Sequence, residues 1–236
     1  MSTEEKTETT KIMHRARTPR AAAIAGILFG ILFSCCIVLI RLSMPTDFAD
    51  LNAWTDPKRS LISVSLGLMP LAGLAFLWFV GVVRDRLGVY EDQFFGAVFQ
   101  GSGLLFLAMT FCASAIGAGM LAAYRIGGDQ IMTINIYLVG RAISSQIFNT
   151  YALKMAAVFM FSLSTLWLRT GVMPKAVCFF TYAMAIVMFV SLSLSLWMVL
   201  FFPTWVFCVS VYILIMSFRQ KPTGGMDGMT PEPAHS

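Results

Sequence analysis

Long apolar runs alternate with short polar breaks along this chain, and the run lengths decide its class. About 20 consecutive apolar residues carry an α-helix across roughly 30 Å of hydrocarbon. The first run, Ala21 to Ile40, has that length and sits between Arg20 and Arg41. It is too long for a typical signal-peptide core and no small-x-small cleavage site follows it closely, so it predicts a retained first span. A second run, from about Leu61 to Val83, contains Pro70 and predicts a kinked helix. The third, from about Phe94 to Ala122, is long enough to tilt or to project beyond a bilayer. The fourth, about Tyr151 to Leu168, is shorter and follows the half-polar stretch MTINIYLVGRAISSQIFNT, which can continue the helix outward. The last apolar stretch, Ala176 to Phe218, is too long for one span. It divides at Phe201-Phe202-Pro203-Thr204, because proline suits the first turn of a new helix. That division ends a fifth span near Val199 and starts a sixth at about Pro203.

The expected fold is therefore an all-α integral membrane bundle of six transmembrane helices over residues 19–218. Residues 1–18 are polar and charged, and residues 219–236 are rich in Gly, Pro and polar side chains; both are expected to be disordered tails. The two halves show no repeat that would suggest an inverted-repeat transporter.

Composition agrees with this reading. The chain is 58% hydrophobic and 12% charged, against about 45–50% and about 25% in soluble domains. With a mean hydropathy of +0.76, so few charges cannot coat a water-facing surface, which excludes a soluble globular fold. The net charge of +5 raises the question of nucleic acid. The basic residues, however, cluster between apolar runs and build no face interleaved with stacking aromatics, so no nucleic-acid partner is expected. They orient the chain instead. With the N-terminus inside, Lys6, Lys11, Arg15, Arg17, Arg20, Arg84, Arg86, Arg169, Lys175, Arg219 and Lys221 face the cytoplasm. Arg41, Lys58, Arg59, Arg125, Arg141 and Lys154 face outward, and the excess of eleven over six predicts both termini in the cytoplasm.

Chemistry is sparse. The two histidines, His14 and His235, lie in the tails, which leaves no imidazole pair for haem or zinc inside the membrane. Cys35, Cys36, Cys112, Cys178 and Cys208 fall in apolar runs without a CxxC and read as packing residues. No HExxH, GxSxG, Walker A or dinucleotide fingerprint occurs, so no catalytic centre, metal site or cofactor is expected.

Three groups of residues remain as candidates. Gly26, Gly30 and Ser34 recur every fourth position and form a smooth face for close helix packing, within the chain in preference to a homodimer seam. Arg84, Asp85, Arg86, Glu91 and Asp92 form a polar turn between the second and third spans. It is either a loop that binds an anionic partner or a lipid headgroup or, the favoured reading, an ordinary helix-end arrangement in which the acids precede the next helix. Arg141, Ser145, Asn149 and Lys154 form the third group, leading into the fourth span. Lys154 is the single ionisable group inside an apolar run. Such a residue is a functional candidate by position, although a lysine this near the run's end can also snorkel or pair with Asp47, Asp50, Asp56 or Asp129.

The run FLWFVGVVRDRLGVYEDQFFGAVFQGSGLLFLAMTF, Phe76 to Phe111, resembles a family of small uncharacterised bacterial multi-pass membrane proteins with an RDRxG…ED…FF turn followed by a GSGLLF helix. The resemblance covers mainly the second and third spans. It implies a bacterial inner membrane and brings no catalytic residue with it. The expected function is a structural or accessory membrane component whose partners are the lipid bilayer and a second copy or another membrane protein. The alternative is a small transporter or channel-like subunit using the polar cluster around Lys154.

Overall fold

The apolar runs fold as helices. A computed structural model describes residues 3–43, 56–87, 93–131, 134–190 and 199–219, and among these no strand occurs. The elements are α1 (Thr3–Ser43), α2 (Asp56–Leu87), α3 (Gln93–Ile131), α4 (Ile134–Gln146), a π-helical turn (Ile147–Ala152), α5 (Leu153–Thr170), α6 (Lys175–Val190) and α7 (Phe201–Arg219). In lipid every backbone N–H and C=O must find its partner within the protein, and a helix satisfies them all locally.

Among the described residues, four stretches are long and apolar enough to cross a membrane: Ala23–Ser43, Lys58–Arg84, Phe94–Gly128 and Ile134–Thr170. The last joins α4, the π turn and α5, so the half-polar stretch before Tyr151 does continue the fourth helix. The apolar segments Lys175–Val190 and Phe201–Met216 are shorter. At 1.5 Å per residue each reaches roughly 24 Å, less than a full hydrocarbon core. Residues 191–198, through which the fifth span was expected to run, lie outside the described residues, as do residues 44–55 and the tail from residue 220. The backbone is helical from Thr3, so α1 begins ahead of the first apolar run.

Helix ends follow local chemistry. At Gly128 (φ 55°, ψ −142°) the backbone leaves helical geometry near the end of α3. Gly171 caps α5 in the left-handed conformation (φ 66°), and its N–H donates to the Trp167 carbonyl at 2.9 Å. Pro174 then opens α6, its carbonyl accepting from the Val177 N–H at 3.0 Å. Pro203 lies in the first turn of α7, where its missing N–H costs nothing. Pro70 stays inside an uninterrupted α2 with its ring exposed.

Helix α1 packs chiefly on α2 and α7, α3 on α5, and α5 on α6. The centre is aromatic. Phe29 and Phe33 of α1, Phe76 and Phe79 of α2, Phe99 and Phe106 of α3, Phe159 of α5 and Phe202 of α7 are all fully buried. Phe76 alone meets Phe29, Phe106, Phe159 and Phe202 with ring centroids 4.8, 5.4, 5.4 and 5.9 Å away. Side-chain hydrogen bonds tie neighbouring helices. Ser65 Oγ donates to the Cys36 carbonyl at 2.9 Å, Ser164 Oγ to the Cys178 carbonyl at 2.8 Å, and Trp205 Nε1 to Thr181 Oγ1 at 3.0 Å. The outer faces are apolar: Ile24, Ile31, Leu71, Trp78, Leu104, Leu105, Phe179, Phe180 and Ile186 are all exposed. Large apolar residues on both sides of the helices are what a lipid-facing protein presents, since a soluble one rarely exposes such continuous patches.

Candidate functional site

The stretch Ile134–Thr170 is the least hydropathic of the four candidate spans, and several polar side chains in its first half share one face. Tyr137, Arg141, Ser144, Ser145, Phe148 and Asn149 follow one another at three- and four-residue spacing. They form one wall of a cavity of about 200 Å³. The opposite walls come from far along the chain: Ile37 and Ile40 near the end of α1, Ile62, Leu66 and Met69 in the first half of α2, Ala113, Ser114, Gly117 and Met120 of α3, and Val199. The cavity therefore lies at the end of the bundle where α1 finishes and α2 begins.

Two features shape that wall. Ser144 Oγ donates to the Ala113 carbonyl at 2.9 Å and holds α4 against α3. The close approach of Gly140 to the Met120 side chain brings the same helices together one turn earlier. The π turn at Ile147–Ala152 then inserts a wider turn between α4 and α5. Polar side chains bridge into it: Asn149 Nδ2 donates to Ser145 Oγ at 2.8 Å, and Thr150 Oγ1 to Gln146 Oε1 at 2.8 Å. Single π turns within α-helices occur frequently at functional sites.

Beside the cavity, Ile62, Met120, Leu121 and Tyr137 form a small buried cluster, with Tyr124 packed against it. The Arg59 guanidinium lies 4.8 Å from the Tyr124 ring centroid, and Arg125 Nη2 donates to Ser63 Oγ at 3.2 Å. Both contacts join the start of α2 to the end of α3. At the other end of the bundle Arg169 lies 4.8 Å above the Phe95 ring, joining the end of α5 to the start of α3.

Of the residues singled out in the sequence, Arg141 and Asn149 line the cavity, both half-buried. Lys154 does not. It is half-buried near the start of α5, five positions beyond Asn149 and past the π turn, so it leaves the face that Arg141, Ser145 and Asn149 share. Asp47 and Asp50, considered as its partners, lie outside the described residues; Asp56 and Asp129 are placed only by their helical backbone. Arg84, Asp85 and Arg86 form the last turn of α2, with Arg84 exposed, whereas Glu91 and Asp92 lie outside the described residues. Gly26 and Gly30 face α7. A side chain at Gly26 would collide with Ser210 Oγ, and one at Gly30 would stand 2.8 Å from Phe207 Cβ and 3.0 Å from the Pro203 carbonyl oxygen. That face is occupied by the chain's own helix. Ser34, one turn on, is half-buried.

Sequence reasoning did not single out Tyr137 and Ser144. The stripe of Arg141, Ser145 and Asn149, extended one turn back, reaches Tyr137, so that signal was available. The apolar walls had none, because they meet only in the folded bundle. Among the described residues, no three His, Cys, Asp or Glu side chains gather as a metal site would require. The five cysteines are free thiols, Cys36 and Cys178 buried and the others exposed. Comparison with protein-family models, curated proteins and solved structures finds no match.

Proposed function

We propose that this chain is a structural or accessory component of a bacterial inner membrane, crossing it six times with both termini in the cytoplasm. The observation that carries the accessory reading is the filled aromatic centre. Rings from α1, α2, α3, α5 and α7 interlock there with centroid separations of about 5–6 Å, and among the described residues the buried polar side chains are serines and threonines alone. A conduit for ions or polar solutes needs polar groups or water along its length. The excess of eleven basic residues over six supports the orientation, with Arg84, Arg169 and Lys175 at helix ends on the side assigned to the cytoplasm and Arg59, Arg125 and Arg141 among the outer minority. The apolar segments of α6 and α7 would serve as the fifth and sixth crossings.

A transporter subunit is the second reading, favoured by the cavity that Arg141 and Asn149 line. Reconstitution into liposomes separates the two. The accessory reading expects no flux of ions or small polar solutes above that of empty vesicles. A saturable flux abolished by Arg141→Gln would overturn it in favour of transport. The orientation is tested by single cysteines at Asn52 and Gly225 with a membrane-impermeant maleimide: position 52 should label from outside and position 225 only after lysis, and the reverse pattern refutes the topology.

A further inference from the structure

We infer that the cavity between α1, α2, α3 and α4 is a binding site for an amphiphile with an anionic head and a short apolar chain. The polar groups and the apolar walls are segregated. Arg141, Ser144, Ser145 and Asn149 occupy the α4 side, and Ile37, Ile62, Leu66, Met69, Met120 and Val199 the facing sides. Ligand pockets are built this way, mostly apolar with a few convergent polar groups that fix orientation. The charge is one-sided: among the described lining residues there is a guanidinium and no carboxylate. Arg59 stands beside the site, since the Tyr124 ring under it packs on the cluster containing Ile62, Met120 and Tyr137, all three of which line the cavity. A planar guanidinium flanked by hydroxyl and amide groups suits a carboxylate or phosphate oxygen pair.

Size limits the apolar part. An engineered apolar cavity of about 150 Å³ holds benzene, so on the same scale about 200 Å³ accepts roughly eight carbons. A chain of that length in contact with Ile, Leu and Met, with its charged end at Arg141, describes a fatty carboxylate or one arm of an anionic phospholipid. The site is partly open, with Ser145 exposed and Arg141 and Asn149 half-buried, so a headgroup can remain hydrated while the tail is enclosed. Nothing in this site depends on whether the protein conducts solutes.

The test uses the full chain in phosphatidylcholine nanodiscs and equilibrium binding of labelled decanoate, with empty nanodiscs subtracted. One saturable site per chain is expected, with 1-decanol binding about tenfold more weakly or worse for want of the charge-assisted contact. Arg141→Gln should weaken decanoate by about tenfold or more, and Arg141→Lys should recover part of that loss. Gly117→Leu provides a variant independent of charge. The nearest atom to a Cβ there is Leu66 Cδ2 at 3.7 Å, so a larger side chain can enter the cavity while leucine suits the helix better than glycine. It should abolish binding while circular dichroism stays unchanged. Adding phosphatidylglycerol to the nanodiscs distinguishes the sources: displacement of decanoate identifies a membrane phospholipid, and unaltered decanoate binding identifies a free fatty carboxylate. Decanol binding as tightly as decanoate, or unchanged binding in folded Gly117→Leu, overturns the inference.

Discussion

Replacing Phe76 with alanine tests whether the aromatic centre holds the bundle together. Phe76 is fully buried on α2, and its ring meets rings from α1, α3, α5 and α7. In water, a buried Phe→Ala change loses transfer free energy as well as packing, about 3–5 kcal/mol in all. In a bilayer the transfer part largely cancels, because a side chain released from the core finds lipid tails as apolar as its former neighbours. What remains is the void. Removing the ring empties roughly 100 Å³, which at about 24 cal/mol per Å³ amounts to about 2.4 kcal/mol if the core does not collapse. Ring pairs of this geometry add about 0.5–1.5 kcal/mol each beyond contact area, and partial collapse offsets some of the total. The expected loss is therefore about 3 kcal/mol. Alanine is the better helix former, so helix propensity works against the effect and cannot produce it.

Reversible unfolding in mixed micelles of dodecyl maltoside and sodium dodecyl sulfate, followed by circular dichroism, measures the change. Phe180→Ala is the control, because Phe180 is 61% exposed on the lipid side of α6 and its loss should shift stability by less than about 0.5 kcal/mol. A graded series, with Phe76→Leu between wild type and Phe76→Ala, is the pattern that void formation requires. Equal small shifts for Phe76→Ala and Phe180→Ala would show that the rings do not bear the packing load, and the argument for a filled, non-conducting centre would fall with them.

Other substitutions probe the remaining contacts. Gly26→Leu with Gly30→Leu should wedge α7 from α1 and lower the mixed-micelle midpoint sharply, while elution volume stays constant, because α7 rather than a second copy covers that face. A changed oligomeric state with unaltered stability would point to a homodimer seam instead. Trp205→Phe and Thr181→Val each remove the 3.0 Å hydrogen bond between α7 and α6, and each should cost about 0.6–1.7 kcal/mol, with the double variant clearly less than additive. Gly171→Ala places a Cβ at φ 66° and should destabilise the α5–α6 turn by about 1 kcal/mol in the same assay. Lys154→Met should leave decanoate binding and stability near wild type, since Lys154 lies off the cavity wall; a loss of binding would return it to the site.

How far the sequence predicts this molecule depends on the range of the interactions involved. Helix formation in lipid is a local demand, met within each segment, so the apolar runs located the four long apolar helices among the described residues, and Pro203 and Gly171 sit at boundaries where proline and glycine chemistry places them. Run length is a weaker guide where polar residues continue a helix. The α4 stretch extends the fourth run upstream to Ile134, because Asn, Ser and Gln satisfy one another along a helix and leave its backbone intact. The smooth face at Gly26 and Gly30 was legible as a packing surface, yet its partner, α7, begins about 170 residues later and could not be read from spacing. The same separation governs the cavity. Its polar wall is one helix face, so Arg141 and Asn149 are within reach of periodicity; Lys154 follows them near helical spacing, but the π turn and the five-residue step put it elsewhere. The apolar wall joins Ile37, Ile62, Met120 and Val199, residues indistinguishable in sequence from any others that face lipid. What makes them a site is their convergence opposite Arg141. A single charge in an apolar run is therefore a poorer guide to the cavity lining of this chain than a polar helix face that the fold sets against a hydrophobic hollow.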